Sequence, residues 1–364
     1  MTPRSVLQQL PAYQAGKPPA AAPGLTPYKL ASNENPYAPV QAVIETIAEA
    51  ATAQTVRRYP ETTYAKLSEL IGQTYDVPVE DITVGAGSLG VLTSLVQTFA
   101  GTNADGTPDE VIIPWRSFEA YPIVIRSAGA KDVMVPLKDS GAHDLSAMLA
   151  AITDKTRMIM LCTPNNPTGA VLSDQQVREF LAQVPAHILV VLDEAYIEFI
   201  RDEDAVNGLN IYREYPNVAV LRTFSKAHGL ANLRIGYGIA APAIANPLKV
   251  INPPFATSSL AEQAAHASLS HLDEVLANTA QVVSERARVW QALDELGYQP
   301  PATQANFVWL PIGELAQQFA DACGEQALSV RAFHPEGVRV SIGEVEANDR
   351  LLEVATAFAE HLPR

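Results

Sequence analysis

Two cysteines in 364 residues, Cys162 and Cys323, are too few for a disulfide framework or a thiolate zinc site. Both lie in apolar stretches and read as buried free thiols. Basic residues are scarce as well: 25 Lys and Arg stand against 40 Asp and Glu, a formal net charge of -15. Nucleic acid is bound through cationic surface, so this balance argues against it as a partner, while leaving room for a local pocket that takes a small anion. No apolar run reaches the roughly 18 residues of a membrane span. The start, MTPRSVLQQLPAYQAGKPPAAAPG, lacks the apolar core of a signal peptide. The expectation is a cytoplasmic protein with no membrane partner. Histidines are few, and His143, His266 and His271 follow no metal-ligand spacing, so no metal is expected.

What the chain does contain is alternation. Residues 1–25 are rich in Pro and Ala with little periodicity and read as an N-terminal arm. Helices are expected over 40–53 and 64–75. From DITVG onward, short apolar runs (DEVIIP, KDVMVPL, TRMIMLC, HILVVLD, NVAVLRTF, RIGYGIA) alternate with amphipathic stretches such as SLGVLTSLVQTFA, RSFEAYPIVIRSAG and SDQQVREFLAQV. That is the pattern of an α/β fold whose mostly parallel central sheet is covered by helices. Met158 and Met160 alternate within one such run and read as core. After about residue 250 the pattern changes to long helical stretches over 258–297, a strand at ANFVWLP, a helix over 313–323, a strand at GVRVSI and a helix over 346–361. Residues 51–257 therefore read as a large domain, and 26–50 with 258–364 as a smaller α+β domain. A ligand is expected in the cleft between them.

Unusual polar groups fall at the ends of the expected strands, where open α/β sheets present their binding loops. GAGS at 85–88 joins a strand to a helix, so the amides around Gly87 and the Ser88 hydroxyl can cradle an anion. The same letters also make a plain turn, and they match neither common nucleotide-phosphate fingerprint. In the next loop Trp115 or Phe118 can stack on a flat cofactor or simply pack. TPNNPTG at 163–169 restricts the backbone around the amide of Asn166. LDEAYIEF places Asp193 at a strand end, either as a turn acid or as a buried partner for a protonated pyridine nitrogen. Tyr196 follows three residues on, and Glu194 and Glu198 read as surface groups. Finally, SKAHGLANLR at 225–234 sits between two strands. Lys226 there can be a solvated side chain, a phosphate binder or an amine that condenses with a carbonyl, while Ser225 and Arg234 can hold a phosphate. Taken together, a lysine for a carbonyl, an acid for a pyridine nitrogen, Asn166 and Tyr196 for a phenolic oxygen and a phosphate seat describe pyridoxal 5'-phosphate chemistry.

The ordered set SNENP, RRYP, NNPTG, DEAYIEF, SKAHGLANLR and RVSIG resembles the fold-type I pyridoxal-phosphate aminotransferases, in the histidinol-phosphate and aromatic branch. The resemblance runs from SNENPY at 32–37 to GVRVSIG at 337–343. It implies that Lys226 holds the cofactor covalently and that Asp193 partners its ring nitrogen. By the same resemblance Phe118 stacks on the ring, and Gly87, Ser88, Ser225 and Arg234 bind its phosphate. Tyr59 of RRYP is expected to reach the phosphate of a partner subunit, which implies a homodimer with shared active sites. Arg339 is the expected clamp for the substrate α-carboxylate, and Asn33 lies in a substrate-side segment. His228, two residues after the lysine, reads as packing.

Two substrates fit. PWRSFEAYP and the short RAFHPEGVR connection resemble the aromatic aminotransferases, with Trp115, Phe118 and Phe333 as an apolar wall. That reading makes the partners an aromatic amino acid and a 2-oxo acid such as 2-oxoglutarate. The alternative is a histidinol-phosphate aminotransferase, whose phosphate-binding basic positions Arg331 and Arg339 resemble. A non-enzymatic binding module on the same fold is the reading from another class, and Lys226, Asp193 and Arg339 together argue against it.

Overall fold

Strands β5 (Thr156–Cys162) and β6 (Leu189–Asp193) show why this chain makes a covered sheet. Ile159, Leu161, Val190 and Leu192 face one apolar cluster, whereas Met158, Met160, Cys162 and Val191 face another. Side chains alternate across a strand, so an unbroken apolar run fills a core on each face. The computed structural model describes residues 22–362, together with residues 6, 10 and 13–19. Much of the expected arm over 1–25 lies outside the described residues, and residues 13–19 carry no helix or strand.

The other described strands are β1 (Tyr28–Lys29), β2 (Ile82–Gly85), β3 (Glu110–Trp115), β4 (Lys131–Pro136), β7 (Val218–Thr223), β8 (Gly236–Ala240), β9 (Phe307–Leu310), β10 (Leu328–Ser329), β11 (Arg331–Phe333) and β12 (Gly337–Ser341). Seven form the central sheet in the order β2-β8-β7-β6-β5-β3-β4. Only β8 runs against its neighbours, pairing antiparallel with both β2 and β7. The reason is local. A parallel return is usually made by an α-helical crossover, and the β7–β8 connection, residues 224–235, holds no α-helix, only the turn Ala231–Leu233. That connection carries Lys226. The remaining strands run parallel, so the loops after β2, β3, β5, β6 and β7 share one edge.

The second unit has an antiparallel sheet, β11-β12-β9, and a parallel pair, β1-β10. Residues 28–30 therefore belong with the C-terminal part: Tyr28 registers with Leu328, and the Ser341 amide donates to the Leu30 carbonyl at 2.9 Å. Helices Leu272–Glu295, Ala316–Glu325 and Val345–Phe358 accompany these strands. The structure thus has the large sheet and smaller α+β unit of a two-domain α/β protein. The stretch expected to be helical from Arg116 begins its helix at Ala120, leaving 116–119 as a loop over the sheet edge. Helices Gly208–Glu214 and Pro242–Ile251 are additions to the sequence reading.

Glu194 and Glu198 are not surface groups. The Glu194 side chain is fully buried and pairs with Arg222 of β7 at 2.8 Å. Arg222 also donates to Asn207 at 3.1 Å and lies 5.1 Å from the Tyr75 ring centre. A buried charge persists when it is paired and hydrogen-bonded, and here the partner comes from the adjacent strand. Glu198 is 8% exposed, and burial pushes its carboxyl up to about 7. His228 is buried against Phe224 and shares a hydrogen bond with the Ser268 hydroxyl at 2.8 Å, as packing predicts. Both cysteines are buried and free.

Candidate active site

The shared edge of strand ends opens into a cavity of about 520 Å³ between the central sheet and the β11–β12 hairpin. Asn33, Ser88, Phe118, Asn166, Asp193, Tyr196, Ser225, Lys226, Arg234, Arg331 and Arg339 all line it. They come from eight separate segments, so the fold brings together what the sequence scatters.

Lys226 enters from the β7–β8 connection. Its Nζ donates to the Ser32 carbonyl at 3.1 Å and lies 5.8 Å from the Tyr196 ring centre. Burial, helped by the nearby Arg339 charge, brings its pKa down to about 7. A neutral amine near pH 7 is a nucleophile and a base, which a solvated lysine is not. Asp193 ends β6. Its Oδ2 accepts from the Tyr121 hydroxyl at 2.8 Å, and its Oδ1 is buried without a partner. Burial pushes this carboxyl up to about 6, against the opposing Tyr121 hydrogen bond. An orphaned, buried acceptor calls for a donor that the protein itself does not supply. A protonated ring nitrogen fits that need.

On another side of the cavity, Ser88 sits in the first turn of helix Gly87–Phe99, whose free amides form an anion seat. Arg234 Nη1 reaches the Ser225 hydroxyl at 3.2 Å, and Thr223 bonds the same hydroxyl at 3.0 Å. Gly87 is required at the turn. Its φ is +73°, and a Cβ there would stand 2.6 Å from the Arg234 guanidinium. Helix amides, a hydroxyl and a guanidinium form the donor set of a phosphate site.

Between these poles, Asn33 donates to the Tyr196 hydroxyl at 2.9 Å. Asn33 is itself fixed by Ser341, whose hydroxyl bonds its side chain at 3.0 Å and its amide at 2.8 Å. Arg339 donates to the side-chain Oδ1 of Asn166 at 2.5 Å and to the Ala31 backbone carbonyl at 2.7 Å, while its Nε is buried without a partner. Its charge is answered only by neutral acceptors, which leaves it ready for an anion. Phe118 packs edge-to-face on Tyr121, with ring centres 5.6 Å apart.

One expectation changes. Trp115 packs against the second apolar cluster and is not among the lining residues, so the expected aromatic wall reduces to Phe118 and Phe333. The expected role of Tyr59 belongs to a neighbouring subunit and is unaffected: in this chain Tyr59 lies away from the cavity, 81% exposed and stacked on Phe255. Tyr121, Ser32, Ser341 and Glu119 are site residues that sequence reasoning passed over. Tyr121 lies in the first turn of helix Ala120–Ala128, and its amide donates to the Phe118 carbonyl at 2.9 Å, which closes the loop onto the helix.

Comparison with known proteins agrees with this geometry. Residues 26–354 match the family model for aminotransferase class I and II. The chain is 48% identical over 359 residues to an aromatic amino acid aminotransferase of Streptomyces coelicolor, covering 99% of this chain and 98% of that one. It is also 48% identical over 355 residues to an aromatic amino acid aminotransferase of Mycobacteroides abscessus, covering 98% of each. Among solved structures, histidinol-phosphate aminotransferase from Sinorhizobium meliloti in complex with pyridoxal-5'-phosphate superposes with a TM-score of 0.86 at 24% identity, over 98% of this chain and 97% of that one. With a near-neutral lysine, an unpartnered acid and an anion seat converging on one cavity, the chain belongs to the class I and II aminotransferases and is a pyridoxal-phosphate-dependent aminotransferase of fold type I, in the histidinol-phosphate and aromatic branch.

Proposed function

We propose that this enzyme transaminates aromatic amino acids, passing the amino group reversibly to a 2-oxo acid such as 2-oxoglutarate. The observation that carries the reading is the surroundings of Arg339. Its guanidinium lies 5.6 Å from the Phe307 ring centre and 5.7 Å from that of Phe333, and Phe333 lines the cavity. A carboxylate clamp against an aromatic surface suits a substrate that is an α-amino acid with a ring. The names of the relatives at 48% identity support the same choice.

In this reading Lys226 holds pyridoxal phosphate covalently. Asp193 takes the ring N–H, Asn166 and Tyr196 the phenolic oxygen, Phe118 the ring face, and Gly87, Ser88, Ser225 and Arg234 the phosphate. When bound, the cofactor supplies the electron sink that makes a substrate Cα–H acidic. The protein's own work is positional. Arg339 fixes the α-carboxylate, Lys226 removes and returns the Cα proton, and Asn33 holds the Tyr196 hydroxyl in place.

The test is a panel of half-reactions on cofactor-loaded protein with phenylalanine, tyrosine, tryptophan, histidinol phosphate, aspartate and alanine. Phenylalanine or tyrosine is expected to react best. Arg339→Leu is expected to lower kcat/KM for phenylalanine by about 10²- to 10³-fold, the worth of a lost bidentate charged pair. Arg331→Leu should retain measurably more activity. Efficient histidinol-phosphate turnover with negligible aromatic turnover would overturn the substrate assignment and leave the cofactor chemistry standing.

The proposal includes a homodimer in which Tyr59 reaches the neighbouring site. Val56, Tyr59, Val250 and Phe255 are large apolar residues left exposed in the isolated chain, and Tyr59 stacks on Phe255 at 4.6 Å. Exposed apolar side chains of this kind support a surface that a second copy would cover. Sedimentation at assay concentration should give a dimer, and full activity in a monomeric fraction would reject shared sites.

A further inference from the structure

We propose that Glu119 determines specificity: by holding Arg331, it weakens binding in the substrate side-chain subsite of molecules carrying a second anionic group, carboxylate or phosphate. The inference rests on the aromatic reading above and deepens it.

Arg331 and Arg339 are cross-strand partners in the β11–β12 register, and both guanidinia lie near Phe333, the former at 5.0 Å. One wall of the cavity therefore carries two cations, which is what a substrate with two anionic groups would want. The two are not equivalent. Arg339 meets neutral acceptors only, whereas Arg331 Nη2 donates to both oxygens of Glu119, at 2.8 and 3.1 Å. Glu119 belongs to the loop after β3, across the cleft from the hairpin, and it lines the same cavity. Beside it, Arg116 reaches back to Glu336 of the hairpin with Nε at 2.7 Å and Nη2 at 2.5 Å. Arg116 also stands 3.9 Å from Glu119. Four charges thus alternate in sign across the cleft, two from each side, and sum to zero.

An incoming distal anion has two routes. It can take Arg331 away from Glu119, or it can remain close to the Glu119 carboxylate without a cation of its own. Glu119 is tethered in place and competes at the high effective concentration of an intramolecular group. The Arg331 and Glu119 side chains are only 14% and 27% exposed, so solvent screens the pair less than at an open surface. An uncharged ring meets neither cost, and the arginine planes and Phe333 offer it stacking surface. The charge balance of the subsite, rather than the presence of a second arginine, selects the substrate. A dicarboxylic acceptor then enters only by displacing Glu119.

The test uses the holoenzyme and three unreactive ligands, with affinity read by titration calorimetry: 3-phenylpropionate, glutarate and 3-phosphonopropionate. In Glu119→Gln the affinities for glutarate and 3-phosphonopropionate, each relative to 3-phenylpropionate, are expected to rise about tenfold or more. Adding Arg331→Met should remove that gain. The two anionic probes separate a distal carboxylate from a distal phosphate. Unchanged ratios in Glu119→Gln, or a gain that survives loss of Arg331, would overturn the role of Glu119 while 3-phenylpropionate binding keeps the aromatic reading intact. A wild-type enzyme that prefers the two dianions would overturn both.

Discussion

Lys226→Ala is expected to lower transamination by about 10⁴-fold or more and to leave the protein without covalently held cofactor. The substitution removes both the amine and the base. Among the described residues no other lysine lines the cavity, so none is placed to take over. The fold should tolerate the change, because burial already works against the charged form and holds the amine near a pKa of about 7. Borohydride reduction followed by peptide mass analysis checks the assignment directly. Wild-type protein should carry the cofactor on the peptide containing residue 226, and the variant on none. Attachment at a different lysine, or activity within tenfold of wild type, would sink it.

Asp193→Asn is the second large effect. It keeps the shape and one hydrogen-bond acceptor but cannot become negative. In the half-reaction with phenylalanine, removal of the Cα proton is expected to slow by about 10²- to 10³-fold, the consequence of leaving a buried cation unpaired. An unchanged rate at full cofactor occupancy would rule the role out. The cofactor-free protein gives an independent reading. Burial raises the Asp193 pKa from 3.8 to about 6. A carboxyl whose folded pKa lies above its unfolded value gives its full stability below the lower value and loses it as pH rises through the higher. The gap corresponds to about 3 kcal/mol. Relative to wild type, apo Asp193→Asn should therefore gain thermal stability between about pH 4 and pH 7, with Tm measured across that range.

The sheet was legible because its signal is local. The apolar letters of TRMIMLC and HILVVLD are long enough to be strands and lack the polar alternation of a half-exposed one. The lysine connection was legible for the same reason, being a polar, glycine-containing stretch between two apolar runs. What stayed hidden depends on neighbours distant in sequence. Glu194 reads as a surface acid until β7 places Arg222 beside it. Glu119 is one unmarked letter of RSFEAYPIVIRSAG until the hairpin brings Arg331 to it. β1 and β10 are two residues each and exist only because they find one another. Helix Pro242–Ile251 contains Pro247, a residue that argues against a helix in isolation.

The pairing of β1 with β10 also sets an order of events during synthesis. The central sheet is complete in sequence at Ala240, so all of its strands emerge before β9 is made. The segment around residues 28–33 emerges earlier still; it meets Tyr196 and Lys226 of the large sheet's loops, but its strand partner β10 and the residues that fix Asn33 from the other side are not yet made. Asn33 takes its bonds from Asn306 and Ser341, and the Ala31 carbonyl is bound by Arg339, a separation of 308 residues. Closing so long a loop adds little entropy cost beyond that of a moderate one, since the cost grows only logarithmically. It does fix the sequence of assembly. The lysine connection and the phosphate seat belong to the part of the chain made first. Ser32 and Asn33, which orient Lys226 and Tyr196, come into position only with the final strands. A nascent chain halted before β12 would carry the lysine and the anion seat without the carboxylate clamp, and competence to turn over substrate arrives only once β12 is made.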